Sequence, residues 1–282
     1  MQSKSQIRQL LESAGVRPDK RFGQHFLIDT QVRDRLVESA ELNRSDTVLE
    51  VGPGLGFLTS ILAAQAGRVI AVEKDRTLAS YLRRKFADRQ NLTVLQEDAL
   101  KMTVPDSAKI VSSPPYNISS KLILLILESH FSLASLLLQK EFAGRLIAPS
   151  GSRDYGRLTV MFQTRAEAKL VEDVPRTAFY PKPKVDSAIV VIKPGNKPSL
   201  ADKELFEDMV RMLFTQRRRR LLGVLTRYLK SRFPNQQKAI LEQIFVPEKR
   251  IFEATIEDLA GLSGKIAALV KESVRKGQAS AR

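Results

Sequence analysis

The sequence predicts an α/β fold, a mostly parallel sheet with helices on both faces, followed by a small all-α region. Three observations carry this. Between about Asp46 and Gln96, short β-branched runs alternate with stretches whose apolar residues recur at helical spacing. A Pro/Gly/Lys-rich linker, KPGNKPS, then interrupts the chain near Pro194. Beyond it strand signals stop, and Asp202 to Lys271 reads as several short helices with apolar spacing. The expected boundary follows: residues 1–194 form the sheet domain, with a basic loop near its start, and residues 195–282 the helical one.

The elements follow in order. TVLEV is a strand that runs into GPGLG, and FLTSILAAQA is the helix after it. RVIAVEKD is the second strand, RTLASYLRRKFA the next helix, NLTVLQED the third strand and AKIVS the fourth. LASLLLQ, LTVMFQ and DSAIVVIKP look like further strands.

Composition narrows the partners. Against 31 Asp+Glu stand 46 Lys+Arg, a formal charge of +15, and such a field attracts polyanions, most commonly nucleic acid. A membrane is not expected. The most apolar stretch, Leu122 to Leu138, is broken by Glu128 and His130, and the run LILLIL is too short to span. With no apolar signal core near the start, a cytoplasmic address is expected. The chain has no cysteine, which excludes disulfides, thiolate nucleophiles and Cys-ligated metals. Two isolated histidines, His25 and His130, make no metal site.

Chemistry gathers at the strand ends. In LEVGPGLGFLT a buried strand enters Gly52, Gly54 and Gly56, and a helix follows. Glycines let a ligand approach the backbone, and the helix N-terminus adds a favourable dipole. Nineteen residues after Gly54, Glu73 ends VIAVE, well placed for ribose hydroxyls. Phe57 occupies the last glycine position of the nicotinamide fingerprint, which disfavours a dehydrogenase. At the end of the third strand Asp98 either accepts from an adenine amino group or caps the segment ALKM. Ser113-Pro114-Pro115-Tyr116 ends the fourth strand on the same edge, where open α/β sheets bind ligands.

That tetrapeptide resembles the Asp/Asn/Ser-Pro-Pro-aromatic motif of S-adenosylmethionine-dependent amino-methyltransferases. RFGQHFLID, LEVGPGLG, VIAVEKD, QEDAL, PYNISS, DYGRLTV, FYPKPKVDSAIV and LFTQRRRRLLGVL occur in the order of one branch, the KsgA-like rRNA adenine N6,N6-dimethyltransferases. The resemblance runs from about Lys20 to Leu225. It implies a Rossmann-like methyltransferase sheet, S-adenosylmethionine as cofactor, and two adjacent adenines near the 3′ end of small-subunit rRNA as target.

Carried over by position, His25 and Leu27 resemble cofactor contacts of the N-terminal loop. Gly52, Gly54, Glu73 and Asp98 match the glycine, ribose and adenine positions. Ser113 stands in the slot the family fills with asparagine, a departure that shortens the acceptor. With the carbonyl of Pro114 it would accept the two N–H bonds of the target amine, while Tyr116 and Phe179 hold the base between them.

RNA contact is expected from residues 211–235, which carry Arg217, Arg218, Arg219 and Arg220 among other cations and no acid. Interleaved leucines predict one ordered helix with a basic side that meets phosphates. Arg21 beside aromatics adds a second basic lip. The chain is expected to act as a monomer on a small-subunit ribosomal particle of the pre-30S type. The competing readings are an assembly factor of the same fold without catalysis, and a large-subunit rRNA adenine methyltransferase.

Overall fold

The computed structural model of the chain describes residues 4–16, 23–195 and 200–279. In chain order its elements begin α1 (Lys4–Ser13), β1 (Phe26–Leu27), α2 (Thr30–Glu38), β2 (Thr47–Val51), α3 (Phe57–Gln65), β3 (Arg68–Val72) and α4 (Arg76–Lys85). They continue with β4 (Leu92–Leu95), β5 (Lys109–Ser112), α5 (Ser119–Leu127), β6 (Leu133–Gln139), α6 (Lys140–Leu146), α7 (Arg157–Gln163), β7 (Ala166–Val174), β8 (Phe179–Tyr180) and β9 (Ser187–Pro194). The last four are α8 (Lys203–Phe214), α9 (Leu221–Arg232), α10 (Gln237–Gln243) and α11 (Ile256–Ala279). Among the described residues no helix is long and apolar enough to cross a membrane.

The chain divides into two compact units, one of Met1–Gly144 with Ala166–Pro194, the other of Arg145–Arg165 with Gly195–Arg282. The first holds a seven-stranded sheet in the order β4-β3-β2-β5-β6-β9-β7. The strands from β4 to β6 pair in parallel, whereas β9 runs antiparallel to both β6 and β7. Chain direction across the sheet reverses between β2 and β5, and this switch point is where ligands enter such sheets.

The strands read as continuous apolar runs because both faces are covered. Val48, Val69, Val111, Leu137 and Ile189 pack against Val32 and Leu36 of α2 and Leu58 and Leu62 of α3. Their alternates Leu49, Ile110 and Leu136 are equally buried. Aspartates start two of the helices: Asp29 accepts from the backbone of Gln31 and Val32, Asp75 from that of Thr77 and Leu78. A two-stranded ribbon of β1 and β8 pairs Leu27 with Phe179. The helix α1, unmarked in the sequence reading, buries Ile7 and Leu11 against Phe26, Leu55 and Leu78, so it braces the glycine turn.

Two expectations are corrected here. LTVMFQ is helix α7 and not a strand. Thr159, Val160, Met161 and Phe162 are all buried, and a run buried all round carries no period to tell helix from strand. The hydroxyl of Thr159 accepts from Gly156 N at 3.0 Å and donates to Arg145 O at 2.8 Å, which starts the helix. The boundary expected at residue 194 also needs revision. Tyr155, Val160 and Met161 share a core with Phe206, Met209 and Leu213, so residues 145–165 belong to the helical unit. The strand β7 between them escaped the sequence reading. It is a sheet edge with a bulge at Leu170/Glu172 and an exposed Val171, and it lacks the alternation a half-buried strand shows.

Candidate active site

One pocket in the first unit gathers residues from six strand ends. His25, Leu27, Gly52, Gly54, Glu73 and Asp98 line it. So do Ser113, Pro114, Tyr116 and Phe179. The predicted residue Arg21 lies outside the described residues.

The glycine turn forms the floor. Gly52 has φ +71°, and a β-carbon there would stand 3.0 Å from Cδ of Pro115. Gly54 has φ +58°, and its β-carbon would meet the ring of Phe26 at 2.9 Å. Only glycine combines this left-handed backbone with such close neighbours. Gly52 N donates to Val72 O at 2.9 Å, which ties the turn to the end of β3.

Carboxylates line the next wall. Glu73 accepts from Gly54 N at 3.2 Å through Oε2 and from Asp75 N at 2.9 Å through Oε1. Each oxygen keeps lone pairs for a further donor such as a sugar hydroxyl. Burial pushes its carboxyl up, against the pull of those two backbone hydrogen bonds. Asp98 does cap its segment, since Oδ1 accepts from Leu100 N at 3.1 Å, while Oδ2 pairs with Lys74 Nζ at 3.0 Å. Those bonds, that to Lys74 first, hold its carboxyl below the usual range. The cap and the adenine acceptor are compatible roles, because each carboxylate oxygen has a second lone pair beyond the bond it already accepts.

Several pocket residues were missed by the sequence reading, Glu50, Arg33 and Lys74 among them. Glu50, on β2, lines the cavity at 1% exposure, and its Oε2 has no hydrogen-bond partner among the described residues. Burial, aided by the nearby Glu73, pushes its carboxyl up to about 8. The signal was present, an acid inside the apolar strand TVLEV one residue from the turn. Arg33, on α2, also lines the pocket and pairs with Asp34 at 2.8 Å; nothing in its local pattern singled it out.

The fourth strand completes the site. Ser112 Oγ donates to Val51 O at 2.5 Å, which locks the end of β5 beside the end of β2 and sets Ser113 at the switch point. Tyr116 shares a 2.5 Å hydrogen bond with Ser187 Oγ, and burial pushes its phenol up. The His25 ring stacks on Tyr116 with centroids 5.7 Å apart and planes at 30°. His25 Nδ1 lies 2.7 Å from Pro181 O; a carbonyl only accepts, so Nδ1 carries the hydrogen. Phe179 meets Tyr116 edge to face, at 6.4 Å and 71°. The two expected base-holding rings thus form a corner and not a parallel slot.

In the helical unit the basic segment differs from the single helix expected. Arg217 to Arg220 lie between α8 and α9, and α9 begins only at Leu221. Here Leu221 N donates to Lys249 O, Ile251 N to Arg219 O and Phe252 N to Arg217 O, so residues 217–221 zip against 249–252 and leave the helix. Arg217 is committed internally, donating to Tyr155 O at 2.9 Å and to Arg153 O at 2.5 Å over the ring of Phe252. Arg218, Arg219 and Arg220 are exposed.

Comparison with known proteins agrees with this geometry. A probable ribosomal RNA small subunit methyltransferase A of Thermococcus sibiricus is 41% identical over 265 residues, 90% of this chain and 94% of the relative. The Pyrococcus abyssi protein of the same name is 41% identical over 253 residues, 89% and 92% of the two chains. Among solved structures, a dimethyladenosine transferase from Plasmodium falciparum aligns with TM-score 0.76 at 29% identity, covering 84% of this chain and 96% of that one. The 23S rRNA methyltransferase ErmE aligns with TM-score 0.63 at 33% identity, covering 86% and 99%. The family model described as ribosomal RNA adenine dimethylase matches residues 16–260. The chain belongs to the ribosomal RNA adenine dimethylase family.

Proposed function

We propose that this protein transfers methyl groups from S-adenosylmethionine to N6 of two adjacent adenines near the 3′ end of small-subunit rRNA, dimethylating each, and so serves ribosome biogenesis. It works as a cytoplasmic monomer on a small-subunit particle. The carrying observation is that Ser113-Pro114-Pro115-Tyr116 at the end of β5 faces the Gly52 turn at the end of β2 across the switch point.

The residues fit such a cofactor. Gly52 and Gly54 leave the floor free of β-carbons, Glu73 offers lone pairs to a ribose, and Asp98 offers an acceptor to an adenine amine. Glu50, buried beside Thr59 and Glu73, backs the wall behind the turn. His25 and Leu27 border the same space. When bound, the cofactor supplies an electrophilic methyl on a sulfonium.

The chain's own groups prepare the nucleophile. An exocyclic adenine amine is weak because its lone pair is delocalised into the ring. Ser113 Oγ and Pro114 O accept its two N–H bonds, which draws the nitrogen toward tetrahedral geometry and aims the lone pair into the pocket. Tyr116 stacks on the extruded ring, and Phe179 closes the corner on edge. No strong base is needed, since the methylated ammonium on an aromatic ring loses its proton readily to water. Exposed arginines of the helical unit, Arg218 to Arg220, hold phosphates, whereas Arg217 supports the loop that presents them.

Incubating purified protein with labelled donor and unmodified small subunits tests this. Dimethyladenosine mapped by mass to two neighbouring 3′ positions is the expected result. Transfer confined to large-subunit RNA, or none at all, overturns it.

A further inference from the structure

Phe245 is 78% exposed, the most exposed of the large apolar side chains described. It is not a loose loop residue. Ile244 before it is 8% exposed and belongs to the core of the helical unit, and Val246 after it packs against the same core. With both neighbours anchored inward, the backbone holds the Phe245 ring outward, where water gains nothing from it. A ring fixed in that way is suited to take a flat partner on its face.

The surroundings specify the charge of that partner. Four residues on, Lys249 O accepts from Leu221 N at 2.9 Å, and Lys249 N donates to Pro247 O at 2.8 Å, so the loop turns back onto the zipped strands. Even fully extended, four residues reach at most about 14 Å, and this turn shortens the span. Phe245 therefore lies a few residues from the segment carrying Arg250, which pairs with the segment of Arg218, Arg219 and Arg220. Arg250 Nη1 donates to Arg218 O at 2.7 Å, which holds the two basic strands together and leaves its other N–H groups free to donate outward. Two carboxylates border the four arginines, Glu248 on the same loop and Glu253, whose Oε2 accepts from Arg250 N at 2.7 Å, so the ledge is net basic.

We infer that Phe245 and this arginine ledge form a stacking site for an unpaired base of a single-stranded RNA segment, with flanking phosphates on Arg219, Arg220 and Arg250. The inference rests on the RNA-modifying reading above and adds to it a contact carried by the helical unit. Stacking is tolerant of base identity, so the site confers affinity for an unpaired segment and not for a sequence.

Equilibrium binding of a single-stranded fragment of small-subunit rRNA, measured across a salt series, tests this. Phe245→Ala should weaken binding about 10-fold without changing the slope of log K against log salt, because no charge is lost. Phe245→Trp should retain affinity, and Phe245→Leu should lose it as alanine does. Arg250→Gln should instead lower the slope by about one phosphate contact. Both positions are exposed, and an unchanged melting temperature checks folding. Binding of Phe245→Ala within twofold of wild type overturns the site. Full affinity in Phe245→Leu does too, and so does a defect seen with whole subunits but not with naked RNA, since both indicate an apolar contact to protein. Wild-type protein that binds no RNA while still binding S-adenosylhomocysteine overturns the RNA reading beneath it, a result distinguishable from the loss of this site alone.

Discussion

Cδ of Pro115 lies 3.0 Å from the point where a β-carbon on Gly52 would stand. The contact joins the ends of β2 and β5, so the floor of the candidate cofactor site and the motif proposed to grip the target amine share one van der Waals surface. Shifting one moves the other.

Gly52→Ala should accordingly damage both functions. The new methyl collides with Pro115, and φ +71° costs an L-residue about 1 kcal/mol or more. We expect at least a 10-fold loss in S-adenosylhomocysteine affinity by calorimetry, with a larger loss in methyl transfer. Equal affinity in the variant would show that Pro115 yields freely.

On the proposed mechanism, Ser113 sets how far methylation runs. Its hydroxyl reaches less far than an amide, so the amine must approach closely, which is harder once one methyl is attached. Ser113→Asn should raise the ratio of dimethyl- to monomethyladenosine at fixed time. Ser113→Ala removes the acceptor and should lower kcat by 10–100-fold, with cofactor affinity less affected. Nucleoside mass analysis reads both; an unchanged ratio in the asparagine variant dismisses the reach argument.

For Tyr116, ring and hydroxyl separate. Tyr116→Phe keeps the stacking face but leaves Ser187, fully buried, without its partner. That should lower the melting temperature by an amount worth about 1 kcal/mol while methyl transfer stays within a few-fold of wild type. Tyr116→Ala should cost about 100-fold or more in kcat/KM. If the phenylalanine variant is as inactive as the alanine one, the hydroxyl and not the ring carries the role.

Glu50 makes stability fall with rising pH. Its carboxyl titrates near 4.5 in the unfolded chain and at about 8 when folded, so the folded state holds an extra proton between those values. The native state is therefore favoured fully below pH 4.5 and progressively less up to pH 8, by a total on the order of 3–5 kcal/mol. Glu50→Gln removes this dependence. Cofactor-free protein carrying it should melt at a higher temperature than wild type at pH 8–9, with the difference shrinking toward pH 5. A gap that stays constant with pH would refute the buried proton.

The strand ends were legible in the sequence because a doubly covered parallel sheet forces β-branched runs and because turns need glycine, proline and small polar residues. Gly52, Glu73, Asp98 and Ser113 stand one after another at such ends, and a shared edge follows from the topology alone. What escaped had no periodic signal. Helix α7 is buried all round, β7 has neither face cleanly covered, and Glu50 is one acid in five strand residues. Arg217 looked like its three neighbours until the loop it holds, residues 153–155, came into view. Charge count alone does not separate a cation facing phosphate from one facing carbonyls.

Lys74 and Asp98 provide the remaining test of the cofactor site. The pair spans the ends of β3 and β4 at 3.0 Å, with Lys74 60% exposed, so its removal should not disturb folding. At neutral pH the lysine acts by orienting the carboxylate. Lys74→Met should weaken S-adenosylhomocysteine binding only about 2–5-fold at pH 7, the range of an exposed pair. At lower pH the difference should widen. Lys74 depresses the Asp98 carboxyl, so wild type keeps the acceptor ionised further into acid, and the variant loses binding at a higher pH. Asp98→Asn should lose affinity at all pH values, and adding Lys74→Met to it should cost nothing more, since the partner is already gone. Parallel affinity–pH curves for wild type and Lys74→Met, or additive losses in the double variant, would separate the two residues and leave the lysine a bystander on the pocket rim.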